Sequence, residues 1–385
     1  MSSDDLYVGR EQTFVKHFIL EKYLERFAFI VGTSWQSLTY VDCFSGPWNA
    51  RSEELKDSSF SIALSQLRKA QRVHAQRGRR VELRCFFLEK DGAAFQRLRD
   101  YADGIRDVTI RTRNASLEES VDEIVSFVRE GGPTSFPFIL IDPTGWSGFA
   151  LDTIAPLLRL EPCEVLINFM TGHISRFLRS PDQETQGSFE RLFGSGDFRE
   201  RIRGMEEPQD REDAAVDEYV RSIKRVGGYP FACSAIVLNP QKSRTHFHLV
   251  YATRNAKGIE VFKETERKAM AVQEKARAEA GRRKRLERTG QFDFISELAM
   301  QDPHYSALRD RYLAKMQRDV AHALRQAGRL PYDDAWQLVL SSPLTWERDL
   351  KAWIAQNKIE VQRLAPGQRV PQRGKGNLLI RPHNF

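Results

Sequence analysis

The chain has 385 residues, 41% of them hydrophobic and 29% charged, with a formal net charge of +7. That is a globular composition, long enough for one large core or for two or three domains. No apolar run approaches the roughly 20 residues of a membrane span, and MSSDDLYVGREQ at the start carries no secretory apolar stretch, so a cytoplasmic protein without a membrane partner is expected.

Residues 10–30 place apolar side chains at 14, 15, 18, 19, 23, 24, 27 and 30, the spacing of an amphipathic helix with one buried stripe. Lys16 and His17 lie early in it, where one of them can face a ligand. LTYVDCFSGP at 38–47 then reads as a buried strand that ends on Asp42 and a small-residue turn, Ser45-Gly46-Pro47. A helix over FSIALSQLRKAQRVHAQ follows, then strands at 83–89 (LRCFFLE) and 108–113 (VTIRTR). The next helix opens with the capping box Ser116/Glu119 and stops at Gly131-Gly132-Pro133. FPFILIDP at 136–143 is the most apolar strand. LDTIAPLLRL is expected to be helical from near Pro156, and CEVLINFM at 163–170 is the fifth strand. After a polar helical stretch at 173–228, YPFACSAIVL and THFHLVYAT form an antiparallel pair. Seven strands alternating with helices in this way predict an α/β fold with a mainly parallel sheet and helices on both faces.

Composition shifts at 257–290, a helix-forming stretch of mixed charge that ends in Arg282, Arg283, Lys284 and Arg285. It is expected to be a helical connector between a first domain, 1–256, and a last one, 291–385, with the basic cluster on a solvated helix face. In the last domain, DDAWQLVLSS and TWERDLKAWIAQNK read as two helices, the second capped by Thr345. IEVQRL and NLLIRP read as a hairpin around a Gly/Pro-rich loop. Helix–turn–helix followed by a hairpin is the order of a winged helix, and Arg363, Arg369, Arg373 and Lys375 make the hairpin basic enough for phosphate contacts.

The chemistry lies at the strand ends. Asp42, Glu89, Asn114 and Asp142 follow strands one to four, and ligands of open α/β sheets bind at that edge. An acid after strand two suits a ribose, whose vicinal hydroxyls both donate to a carboxylate. Glu89 follows Asp42 by 47 residues, where a dinucleotide fingerprint expects about 20, and neither GxGxxG nor GxxxxGK[ST] is present. A nucleoside cofactor without phosphates fits better. S-adenosylmethionine would meet Asp42, Phe44, Ser45 and Gly46 at its amino-acid end, Glu89 at the ribose, and Asn114 or Ala115 at the adenine, with Lys16 and Asp142 beside it. Cys43, Cys85, Cys163 and Cys233 show no metal-ligand spacing and are expected to be buried thiols.

The blocks LTYVDCFSGPW, CFFLEKD, FILIDPTGWSG, EVLINFM, ISRFL and ATRNAKGIEVFKE resemble the three-Cys-motif partner (TcmP) family over nearly the whole chain. The front half is also similar to adenine-N6 rRNA methyltransferases, through V-K-H-x-I, Y-V-D-x-F-S-G and I-D-P. The resemblance implies a class I methyltransferase-like, Rossmann-like seven-stranded sheet with a C-terminal winged-helix domain, and a radical-SAM-like three-Cys-motif protein as partner. It also implies an acid-Pro-Pro-aromatic amine site, here Asp142, Pro143 and, one position late, Trp146. This sequence departs from the family pattern at two places: Thr144 replaces the aromatic expected after Asp142-Pro143, and Trp48 stands where a glycine is expected. The expected function is therefore S-adenosylmethionine-dependent methylation of a base amine in DNA or RNA. Arg282, Arg283, Arg363, Arg369, Arg373 and Lys375 would hold the nucleic acid. The alternative is a catalytically silent scaffold that binds DNA or the radical-SAM-like partner.

Overall fold

The computed structural model describes residues 6–47, 50–145, 148–172, 182–194, 202, 204–289 and 303–381. In chain order its elements are α1 (Glu11–Val31), β1 (Ser37–Asp42), α2 (Ser59–Gln76), β2 (Glu82–Glu89), α3 (Gly92–Asp103), β3 (Thr109–Asn114), α4 (Leu117–Glu130), β4 (Ser135–Ile141), α5 (Leu151–Leu158) and β5 (Glu164–Phe169). They continue with α6 (Gln183–Phe193), α7 (Pro208–Gly227), β6 (Phe231–Leu238), β7 (Thr245–Thr253) and α8 (Ala256–Thr289). The last are α9 (Pro303–Ala327), β8 (Arg329–Pro331), α10 (Tyr332–Ser341), α11 (Glu347–Gln356), β9 (Glu360–Gln362) and β10 (Leu378–Ile380).

Strands that are apolar on both sides belong in the middle of a sheet covered on both faces, and β1, β4 and β5 are the central ones. The order is β3-β2-β1-β4-β5-β7-β6. All the pairings from β3 to β5 are parallel, while β7 runs antiparallel to both β5 and β6. Successive side chains point to opposite faces. Leu38, Tyr40, Phe87, Phe138 and Leu140 therefore join one core with α1, α2 and α8. Val41, Phe86, Ile139, Ile141 and Ile167 join a second core with α4, α5, α6 and α7. The result is a Rossmann-like α/β sheet of the class I methyltransferase type. Cys85 and Cys233 are buried in the first core, Cys43 and Cys163 in the second.

Helix α4 forms as its sequence dictates. The Ser116 hydroxyl accepts from the Glu119 amide, and the Glu119 carboxylate accepts from the Ser116 amide. Helix α5 departs from expectation: it begins at Leu151 and carries Pro156 inside it. The proline is tolerated because the helix is only 8 residues long and loses a single backbone bond there.

The stretch with connector-like composition is one 34-residue helix, α8, and its first half is part of the core. Phe262 stacks on Tyr251 with ring centroids 4.5 Å apart. Gly258 permits the approach: a Cβ there would come within 2.5 Å of the Tyr251 hydroxyl and 2.7 Å of Glu164 Oε1. Glu164 is buried and accepts from Tyr23 at 2.6 Å and Thr253 at 2.8 Å, and burial raises its carboxyl above the usual range.

Beyond α9, the three-stranded sheet runs β8-β10-β9, antiparallel throughout. Strand β8 had no counterpart in the sequence reading, since three residues are too few to show a period. Trp346, not Thr345, caps α11: its amide donates to Asp349 at 2.7 Å, while the Thr345 hydroxyl donates to the Val339 carbonyl. This unit sits over a buried ion pair within α8, Lys263–Glu266, at 2.5 Å. Lys263 also donates to the Ser342 carbonyl, and Glu266 accepts from the Leu344 amide. Leu330, Trp336, Leu350 and Leu379 share the core of α1 and α8.

Candidate strand-edge site

Parallel register brings the strand ends together. Asp42 lies opposite Phe87 on one side and Leu140 on the other, so Glu89 and Asp142 each stand two residues further out along their strands. Ile141 is opposite Ile167, which puts Asn168 next to Asp142.

Asp142 is the hub. Its Oδ2 is ion-paired with Lys16 of α1, and its Oδ1 accepts from Asn168 Nδ2 at 2.7 Å. Asn168 is buried, and its own Oδ1 has no partner among the described residues. An unsatisfied buried acceptor of this kind costs about 1–3 kcal/mol, and the Nδ2 of the same amide is the atom that faces the Asp142 carboxylate. Asn168 leaves one signal in the sequence, an amide set among Val165, Leu166, Ile167 and Phe169.

The predicted cofactor residues divide. Lys16 pairs with Asp142 at the strand edge. His17 faces inward and pairs with the Tyr7 hydroxyl at 2.9 Å; burial, with the neighbouring Lys16 charge, pushes its pKa down to about 3. Asp42 is fully buried and turned away from the edge, accepting from the Phe44 amide, Ser59 and Tyr40. Its role is to hold the turn. Ser45 is equally closed: its hydroxyl donates to the Asp42 carbonyl and its amide to the Leu88 carbonyl, both at 2.8 Å. Phe44 and Gly46 are half-buried on that turn. Glu89 is buried, and its Oε1 accepts from the Asp91 amide at 2.7 Å. Asn114 donates to the Glu89 and Lys90 carbonyls, fixing the turn that carries Glu89, and Ala115 packs on the second core. Pro143 is buried and Thr144 exposed beside Asp142, while Trp48 and Trp146 lie outside the described residues.

Burial pushes the Asp42 carboxyl up to about 6, with the Asp142 charge adding and the hydrogen bonds from Ser59, Phe44 and Tyr40 opposing. The folded state thus keeps a proton that an unfolded aspartate releases near about 4. Stability from this group is full below about pH 4, falls by about 3 kcal/mol as pH rises through about 6, and is flat above that. Urea unfolding of the wild type and Asp42→Asn across this range should give curves that diverge by that amount. Parallel curves would refute the assignment.

The basic residues separate into two groups. Arg373 donates to Glu260 at 2.8 Å and lies over the Trp336 ring, so its charge is partly met within the protein. Arg363, Arg369 and Lys375 are exposed on a loop pinned by buried Asn377, which accepts from Gln368 and the Gln372 amide and donates to the Arg363 carbonyl. Arg283 is ion-paired with Glu11 at the start of α1, and Arg282 is exposed. Along α8, about 35 Å of helix separates Glu260 from Arg283. The hairpin loop is thus at the far end of α8 from Lys16.

Two cavities lie away from the strand-end site. A groove of about 660 Å³ opens at the start of β2 and β3, beside Arg72, Arg80 and Arg106. A cleft of about 310 Å³ lies between α8 and the C-terminal unit, beside Arg26, Trp336 and Trp346. Among the described residues, no helix is long and apolar enough to cross a membrane, and no group of His, Cys, Asp and Glu is arranged to hold a metal ion.

No family model matches the chain, and no curated protein matches it. Among solved structures, a Legionella pneumophila str. Philadelphia 1 protein assigned to DUF519 matches with a TM-score of 0.39 and 9% identity, over 66% of this chain and 91% of its own. Loganic acid methyltransferase with SAH matches with a TM-score of 0.30 and 8% identity, over 75% of this chain and 91% of its own. Similarity at this level is slight. The fold assignment rests on strand order and direction, and the TcmP resemblance on the sequence blocks alone.

Proposed function

We propose that this protein is an S-adenosylmethionine-dependent methyltransferase acting on a base amine of a nucleic acid. One observation carries the reading: the Asp142 carboxylate, held from two sides by Lys16 and by Asn168 Nδ2, stands at the carboxyl edge of the sheet. An exocyclic amine has two N–H donors, and the carboxylate would accept one of them while the lone pair stays free. Lys16 keeps the carboxylate in place, and a carboxylate oxygen has lone pairs enough to accept from both Lys16 and the amine. The buried Pro143 carbonyl is the further acceptor that the sequence pattern suggests.

The cofactor fits the remaining groups. Glu89, fixed by the Asp91 amide, would receive the ribose, and the Phe44–Gly46 turn, held by Asp42, would pass beneath the amino-acid end. Bound there, S-adenosylmethionine would supply an electrophilic sulfonium methyl. The chain's own part is to position the amine and shield it from water. Calorimetric titration with S-adenosylmethionine is the direct test, with saturable one-to-one binding expected. Absence of binding by the folded protein would overturn the proposal and leave the scaffold reading, with its radical-SAM-like partner, in its place.

A further inference from the structure

Helix α8 is longer than the sheet it covers. Gln273 Oε1 accepts from the amide of Leu238, the last residue of β6, at 2.8 Å, so the helix reaches the carboxyl edge at that point. Everything after Gln273 runs about 24 Å past the edge at 1.5 Å per residue. The helix changes character there. Large apolar residues bury its earlier turns, but only Ala276 and Ala280 are buried afterwards. From Glu274 to Thr289, seven lysines and arginines stand against three glutamates.

Two contacts fix the direction of this overhang. Arg277 donates to the Lys242 carbonyl in the β6–β7 turn, and Arg283 pairs with Glu11. Glu11 lies about 7 Å of helix rise from Lys16, so the overhang runs beside the Lys16–Asp142 pair, on the face of the sheet where α1 lies. Arg277, Lys284 and Arg288 recur at i, i+7 and i+11, on one side of the helix, with Arg285 next to them and Lys242 at the foot of the row. Lys284, Arg285 and Arg288 are exposed and pair with no carboxylate among the described residues. The row spans about 16 Å, the length of about five phosphates along one strand.

We infer that the overhanging end of α8 is the surface that binds the phosphate backbone of the substrate strand and delivers its base to Asp142. This inference rests on the nucleic-acid reading above. It gives the main electrostatic contact to Lys284, Arg285 and Arg288 and not to the hairpin loop, which lies at the other end of the same helix. Three neutralised phosphates shift the salt dependence of binding by about 2–3 logarithmic units per decade of salt.

The test is fluorescence anisotropy with labelled RNA and DNA of about 20 nucleotides, single-stranded and duplex, enough to overrun the row at about 3.4 Å per step. Two variants are compared with wild type: the triple charge reversal Lys284→Glu, Arg285→Glu, Arg288→Glu, and the milder triple change to Gln. The expected result is a loss of roughly tenfold or more in affinity and a salt slope lower by about 2–3, with S-adenosylmethionine titration and thermal melt unchanged. The RNA and DNA arms report which backbone is preferred. Wild-type affinity and slope in both variants would overturn the inference and leave the nucleic-acid reading standing. A wild type that binds phosphatidylserine vesicles, or nothing, but no nucleic acid would overturn both. The cofactor titration would then report separately on methyl transfer.

Discussion

Asp142→Ala is expected to lower methyl transfer to a nucleic-acid amine by roughly 10²–10³-fold without unfolding the protein. The substitution removes the carboxylate proposed to accept from the amine and releases both partners that now converge on it, Lys16 and Asn168 Nδ2. Lys16 retains access to water, its side chain being 18% exposed, so the stability loss should stay near about 1–3 kcal/mol. Incorporation of labelled methyl into nucleic acid gives the rate. Calorimetry on the variant separates lost chemistry from lost cofactor, and cofactor binding should persist. Transfer at the wild-type rate would remove Asp142 from the site.

The largest stability effect is expected at the other end of α8. Glu266→Ala leaves Lys263 with an uncompensated charge at 2% side-chain exposure and deprives the Leu344 amide of its acceptor. Breaking a buried pair from one side costs about 3–5 kcal/mol, whereas replacing both members by apolar groups of similar size is often neutral. Urea unfolding should show that loss for Glu266→Ala and recover most of it in Lys263→Met/Glu266→Leu. A single variant as stable as wild type would mean that water reaches Lys263, and that the C-terminal unit docks less tightly on α8.

Much of this architecture was legible in the residues. Buried parallel strands are continuous apolar runs, and β1, β2, β4 and β5 were found within a residue or two of their observed bounds. The Ser116/Glu119 box marked the start of α4 because its two hydrogen bonds are local. The harder features depend on the third dimension. Asp42 looked like a ligand contact because it ends a strand, but alternation turns it under α2, where Ser59 covers it. The first half of α8 reads as polar because its buried stripe includes Lys263 and Glu266, which a linear view counts as solvated. Asn168 became visible only when register set it beside Asp142.

The four cysteines make the protein its own probe of opening. Burial raises all four thiols well above their usual range, with Cys163 and Cys233 pushed up to about 12. Since the thiolate is the reactive form, an alkylating reagent at neutral pH reaches these sulfurs only when the chain breathes. Cys85 and Cys233 lie beneath the helices on one side of the sheet, Cys43 and Cys163 beneath those on the other. Alkylation rates resolved by mass spectrometry thus report the two halves of the sandwich separately, and Cys43, next to Asp42, reports on the turn that follows β1.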